Sequence, residues 1–248
     1  GKSRLAQWLS ERTVELGAAR VLRAVHAPIS GPADGVSGMV LRHFHCVGLA
    51  RGHVRERIAD ALQHMGVTEE YEWHALTELA SSGEPSSGSR FERPTRVVFT
   101  DKRQRYAVLR RLLERLARRR PRIVWFDDVQ WGADTLGFVE YMLEMQASIR
   151  TPILMVMTAR SDALDTRPVE RSLVKRILSH ALASHEVIEP LESEDTQRLV
   201  RDLLHLDEEL AAEVEERADG NPLFAVQLVD DWVSSGKLTV GPKGFSMP

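Results

Sequence analysis

Apolar positions recur along the chain with two alternating periods. From Arg4 to Leu16 the residues Leu5, Trp8, Leu9 and Leu16 fall near one face of a helix, and Gly17 is placed to stop it. Val21-Leu22-Arg23-Ala24-Val25 predicts a short strand, Gly31 to Gly38 a Gly/Pro loop, and Val54 to Met65 a helix. Tyr106, Leu109, Leu112, Leu113 and Leu116 are spaced for a helix that ends before Pro121. Arg122-Ile123-Val124-Trp125-Phe126 is a continuous apolar run, the pattern of a strand covered on both faces, and it ends in Asp127-Asp128. A helix over Thr135 to Ala147, a second buried strand over Pro152 to Met157, a helix over Val169 to Ser184 and a short strand at Glu186-Val187-Ile188 continue the alternation. Strands alternating with helices predict an α/β domain with a parallel sheet.

Beyond Pro190 the pattern is helical only. Leu199, Leu203 and Leu206 share a stripe, a second helix runs from about Asp207 to Ala218, and Asn221 with Pro222 is placed to cap and open a third that reaches Trp232. After Gly236 the segment Lys237 to Ser246 reads as a hairpin turning at Gly241-Pro242. A domain boundary is expected near Pro190. The segment from Ser81 to Ser89 is low-complexity Ser/Gly, a flexible loop by composition.

Composition excludes several classes. With 248 residues, 43% hydrophobic and 28% charged, the chain is long enough for one large domain or two modest ones and is not disordered or fibrous. No apolar run approaches the roughly 20 residues that span a bilayer. The single Cys46 cannot form an internal disulfide, which fits a reducing compartment such as the cytoplasm. Net charge is −3, yet Asp101 to Arg122 carries ten Lys/Arg against two acids, and Glu192 to Asp219 eleven acids against three Arg. The basic helix reads as a solvated face, or as one that docks on the acidic segment, rather than as a nucleic-acid surface.

Four stretches carry candidate chemistry. Gly1-Lys2-Ser3 stands directly before a helix, where backbone N–H groups hold phosphate oxygens, a Lys reaches the β and γ phosphates, and a Ser hydroxyl ligates Mg²⁺. Asp127-Asp128 ends a buried strand, where the ligand crevice of an open α/β sheet lies. Thr158-Ala159-Arg160 follows the next strand and puts a cation beside the same crevice; a solvated loop Arg is the plain alternative. Gly220-Asn221-Pro222-Leu223-Phe224 is explained by helix capping alone. His43-Phe44-His45-Cys46 has no second ligand pair at a zinc-like spacing, so ordinary core and surface roles are expected there.

Taken in order, Gly1-Lys2-Ser3-Arg4-Leu5-Ala6, Phe126-Asp127-Asp128-Val129-Gln130-Trp131-Gly132-Ala133-Asp134, Thr158-Ala159-Arg160, Pro190-Leu191 and Gly220-Asn221-Pro222-Leu223-Phe224 resemble the STAND-type signal-transduction ATPases of the AAA-like group. The resemblance implies a P-loop NTPase sheet sandwiched by helices over 1–190, a helical lid over 191–236 and the start of a winged-helix element over 237–248. It implies ATP/ADP and Mg²⁺ as cofactors. Gly1, Lys2, Ser3 and Arg4 would hold the nucleotide phosphates, Ser3 and Asp127 the metal, Asp128 would activate water, Arg160 would sense the γ-phosphate, and Pro222 would meet the adenine side.

It further implies a switch: ADP holds a closed state, and ATP with a trigger opens it and drives self-association that controls effector and sensor domains of the same longer polypeptide. The family has a strand before the phosphate loop that this sequence lacks, so the polypeptide is expected to extend upstream of Gly1. It also carries a long insertion here, between Val25 and the helix before Asp127. Without an evident arginine finger, and with Asp128 one methylene shorter than Glu, hydrolysis is expected to be slow. A scaffold that binds nucleotide without turnover, and an ATP-dependent transcription regulator, are the alternatives.

Overall fold

The computed structural model describes residues 1–31, 33–81, 97–146, 150–203, 206, 208–241 and 244–246. The chain divides into two compact units, one of Ser3–His185 and one of Gly1–Lys2 with Glu186–Pro248.

The larger unit is α/β. Helix α1 (Lys2–Glu15) leads into β1 (Arg20–Val25), followed by α2 (Gly35–His43), α3 (Arg51–His64), α4 (Glu70–Ala80) and α5 (Lys102–Arg119). Strand β2 (Arg122–Asp127), helix α6 (Ala133–Gln146), strand β3 (Ile153–Met157) and helices α7 (Ser161–Asp165) and α8 (Pro168–Leu178) complete it. The three strands pair in parallel in the order β1-β2-β3, with Arg20 opposite Arg122 and Arg122 opposite Ile153. Helical crossovers join them, as parallel pairing requires.

Strand β2 is central and buried from Ile123 to Asp127. Val124 and Phe126 belong to the main core together with Leu109, Leu112, Leu113, Leu136 and Phe138. Ile123, Trp125 and Asp127 point to the opposite face by the two-residue period of a strand. The described helices between β1 and α5 pack into the main core. Met39 and Val40 of α2, Val54, Ile58 and Leu62 of α3, and Ala75, Leu76 and Leu79 of α4 all join that same core.

Five sequence expectations need correction. Strand β3, expected to be buried, lies at the end of the β1-β2-β3 order and is only half-buried, with Leu154 exposed. Most of the large apolar residues expected on one face of α1 are not buried: Ala6 and Ser10 are buried and Leu9 is half-buried, whereas Leu5 and Trp8, and Leu16 just beyond the helix, are exposed. The helix approaches its neighbours through small side chains, which a reading weighted by hydropathy overlooks. The Gly/Pro segment contributes a helix, because Gly35 takes a positive φ of 60° and α2 starts there. Glu186-Val187-Ile188 is irregular, with Val187 and Ile188 exposed. A strand is stable only when its N–H and C=O groups find a partner edge, and this segment pairs with no strand among the described residues. Helix α8 stops at Leu178, where Ser179 takes the cap, rather than continuing to Ser184.

In the smaller unit, α9 (Ser193–Arg198) runs into a π-helical turn over Leu199–Leu203 and is followed by α10 (Glu208–Ala218) and α11 (Pro222–Ser234). Val200, Leu210, Val214, Ala225, Val229 and Trp232 form its own core. The Asn221 cap is present: its Oδ1 accepts from the N–H groups of Leu223 and Phe224 at 3.1 and 3.3 Å. Strands β4 (Thr239–Gly241) and β5 (Gly244–Ser246) pair antiparallel as a hairpin. Ala147, most of the Ser/Gly loop and Pro242 of the expected turn lie outside the described residues. No helix among the described residues is long and apolar enough to cross a membrane.

Candidate functional site

The site is built where β2 ends. Asp127 is the last residue of that strand and is 3% exposed. The Ser3 hydroxyl, on the first turn of α1, donates to its Oδ1 at 2.8 Å, and the Thr158 hydroxyl, just past β3, donates to the same oxygen at 2.5 Å. The other oxygen, Oδ2, accepts from the Arg23 guanidinium at 2.6 Å. Burial alone would push this carboxyl up. The hydrogen bonds from Thr158, Arg23 and Ser3, together with the Arg23 charge, outweigh it and hold the group below its ordinary value.

Asp128 leaves the strand in the left-handed region, at φ 57° and ψ 47°. Two contacts hold that uncommon conformation in a non-glycine residue. Its N–H donates to Thr158 Oγ1 at 3.1 Å, and its Oδ1 accepts from Gln130 Nε2 at 3.0 Å. Gln130 is fully buried, and its Oε1 accepts the backbone N–H of Arg160 at 3.2 Å. The loop after β2 is thus tied through two side chains to the loop after β3.

His26, the residue after β1, is also buried. Its Nδ1 lies 2.8 Å from the Asp127 carbonyl oxygen, which can only accept, so Nδ1 carries the proton and Nε2 accepts from the Thr135 hydroxyl at 2.8 Å. Burial lowers its pKa, and the bond to the Asp127 carbonyl only partly offsets that. On the other side, Arg167 stacks on Trp131 at 4.7 Å and pairs with Glu170 at 2.6 Å, which fixes the outer wall of the loop. Asp134 is structural: its Oδ1 and backbone carbonyl accept from the Tyr106 hydroxyl at 3.1 and 3.0 Å, and Arg105 pairs with its carboxylate at 3.2 Å.

Of the residues expected from sequence, Ser3, Asp127, Asp128 and the Thr158–Arg160 loop converge. The Arg160 side chain is exposed and bidentate on Asp162, at 2.6 and 3.3 Å. Arg4 is exposed on α1. Gly1 and Lys2 are grouped with the smaller unit and are exposed; Lys2 is the first residue of α1. Pro222 is the first residue of α11 in that same unit.

Sequence reading missed Arg23, Gln130 and His26 as working parts of the site. Arg23 did leave a signal, a cation within an otherwise apolar strand. Cys46 is buried and free, and no group of three or more His, Cys, Asp or Glu that could hold a metal ion exists among the described residues.

Compared with known proteins, the chain matches no family model, no curated protein and no solved structure.

Proposed function

We propose that the chain is the nucleotide-operated core of a STAND-type switch, which binds ATP with Mg²⁺ and hydrolyses it slowly to control self-association and the output of a larger protein in the cytoplasm. The observation that carries this is the 2.8 Å hydrogen bond from Ser3 at a helix N-terminus to Asp127 at the end of the central strand. In this reading the three parallel strands are part of a P-loop sheet, the smaller unit supplies the lid, and the terminal hairpin begins a winged-helix element.

The residues fit a magnesium ion. By donating its proton to Asp127, Ser3 keeps its oxygen lone pairs for a cation, and Asp127 is an anion held in place by hydroxyl donors. Mg²⁺ typically takes one or two protein oxygens and fills its shell with water and phosphate, so a small ligand set suits it. When bound, the ion neutralises charge on the β and γ phosphates. The N-terminal N–H groups of α1 lack intrahelical partners and favour an anion. Asp128, oriented by Gln130, takes the proton of the attacking water. Arg160 would leave Asp162 to meet the γ-phosphate.

A binding scaffold without turnover is the second reading. It is favoured by the pairing of Arg160 with Asp162, since that guanidinium is already engaged away from the site.

The test is ATP binding and phosphate release by the intact polypeptide. Asp128→Ala should keep Mg²⁺–ATP affinity and lose turnover. Equal loss of both contradicts the role of Asp128, and binding without any phosphate release by the unaltered protein favours the scaffold.

A further inference from the structure

Arg23 faces Trp125 directly in the parallel register of β1 and β2. Its guanidinium lies 3.9 Å from the centre of the Trp125 ring. Cross-strand neighbours in register project to the same face of a sheet, and so do residues two apart on one strand. Arg23, Trp125 and Asp127 therefore share a face, and Arg23 reaches diagonally over the indole to Asp127 Oδ2 at 2.6 Å. The two partners differ in freedom: the Asp127 side chain is 5% exposed, that of Arg23 44%. Asp127 is fixed by Thr158 and Ser3, whereas Arg23 has solvent to move into. Arg42 donates to the backbone carbonyl of Arg23 at 3.0 Å and so anchors its main chain without restraining its head.

We propose that Arg23 is the internal counter-cation of Asp127 and competes with the divalent ion for that carboxylate, so that it sets the metal affinity of the site. This rests on the nucleotide and magnesium reading above. A desolvated carboxylate needs a positive partner. Without metal, Arg23 supplies it at Oδ2. A divalent cation arriving at Ser3 and Asp127 brings two positive charges beside the guanidinium, and like charges at that distance repel. Arg23 then leaves Oδ2, slides along the Trp125 ring and turns toward solvent. The contact is a built-in brake on metal loading, released by the metal itself.

The experiment is a titration of Mn²⁺, counted by electron paramagnetic resonance, into the intact polypeptide with ADP present. Arg23→Met keeps the length and the stack on Trp125 but removes the charge. Losing a charge-assisted competitor should tighten Mn²⁺ binding about 10-fold or more. Arg23→Lys keeps the competing charge and should bind as the unaltered protein does. Thermal unfolding gives a readout without nucleotide: Arg23→Met should be less stable than the unaltered protein in chelator and should gain more from added Mn²⁺.

If the unaltered protein binds Mn²⁺ with ADP and Arg23→Met binds equally or more weakly, Arg23 is a fixed clamp and the proposal is overturned while the nucleotide reading stands. If neither binds, both fall. Should Arg23→Met not fold, Arg23→Gln, which stays neutral and polar, takes its place with the same expected direction.

Discussion

The Gln130 side-chain amide joins Asp128 to the backbone of Arg160: its nitrogen donates to the carboxylate at 3.0 Å and its oxygen accepts the Arg160 N–H at 3.2 Å. Both ends are used, and the residue is fully buried. Gln130→Met should leave nucleotide affinity close to normal and lower phosphate release, because Asp128 loses its orientation. It should also cost about 1–3 kcal/mol of stability by orphaning a backbone N–H. Gln130→Glu should be worse on both counts, since it sets one carboxylate against another. Turnover and denaturant unfolding of the two variants check this order. A Gln130→Glu chain as stable and active as the unaltered protein would refute the bridge.

Gly132 lies against the His26 ring. A Cβ there would stand 2.5 Å from His26 Cδ2 and 2.8 Å from Nε2. The ring cannot retreat easily, because both its nitrogens are engaged, with the Asp127 carbonyl and with Thr135. Gly132→Ala should therefore destabilise the larger unit by about 1–3 kcal/mol, the usual cost of overpacking. Pairing it with His26→Ala should recover part of that loss. Urea unfolding of the single and double variants measures it, and full additivity would show that the two residues do not meet.

Acid should weaken the fold in two steps. Burial, then the nearby Arg122 and His45, push the His43 imidazole down from its ordinary 6.5 to about 4, and burial lowers His26 in the same direction. Each is neutral when folded and readily protonated when unfolded. The His43 contribution is complete above pH 6.5 and fades as the pH falls toward 4, and that of His26 has the same sign. Asp127 is lowered from 3.8, so its contribution is present above that value and is lost only on going below it. Unfolding curves between pH 7 and 3 should show a sloping loss above pH 4 that becomes shallower in His43→Leu. An unchanged slope in that variant would contradict the assignment.

How far the sequence reaches depends on what each residue's neighbours are. The run Ile123–Phe126 is apolar at every position because β2 is covered on both sides, so strand, burial and the acids at its end were all readable. The convergence of Ser3 on Asp127 agrees with the order of the motifs. Arg23 and Gln130 were opaque for different reasons. Arg23 meets an acid 104 positions away, and only the parallel register brings them together. Gln130 works through a backbone N–H of the kind every residue but proline carries, so it marks none.

Helix α2 was hidden by its own composition. Gly38 is inside that helix, where a Cβ would come within 1.7 Å of the Ala33 carbonyl oxygen, so close approach of the chain demands the glycine that made the segment look like a loop. On α1, Leu5 and Trp8 outrank Ala6 and Ser10 in hydropathy but are the exposed ones.

The most direct measurement is a double-mutant cycle on Mg²⁺–ATP binding by calorimetry, using Ser3→Ala, Asp127→Asn and the pair in the intact polypeptide. Ser3 and Asp127 touch, and in the proposed switch both serve one ion. Each single change should weaken binding about 10-fold or more, and the double variant should lose little beyond the worse single. Unaltered Mg²⁺–ATP binding in either single variant, or losses that simply multiply, would contradict a shared triphosphate–magnesium site.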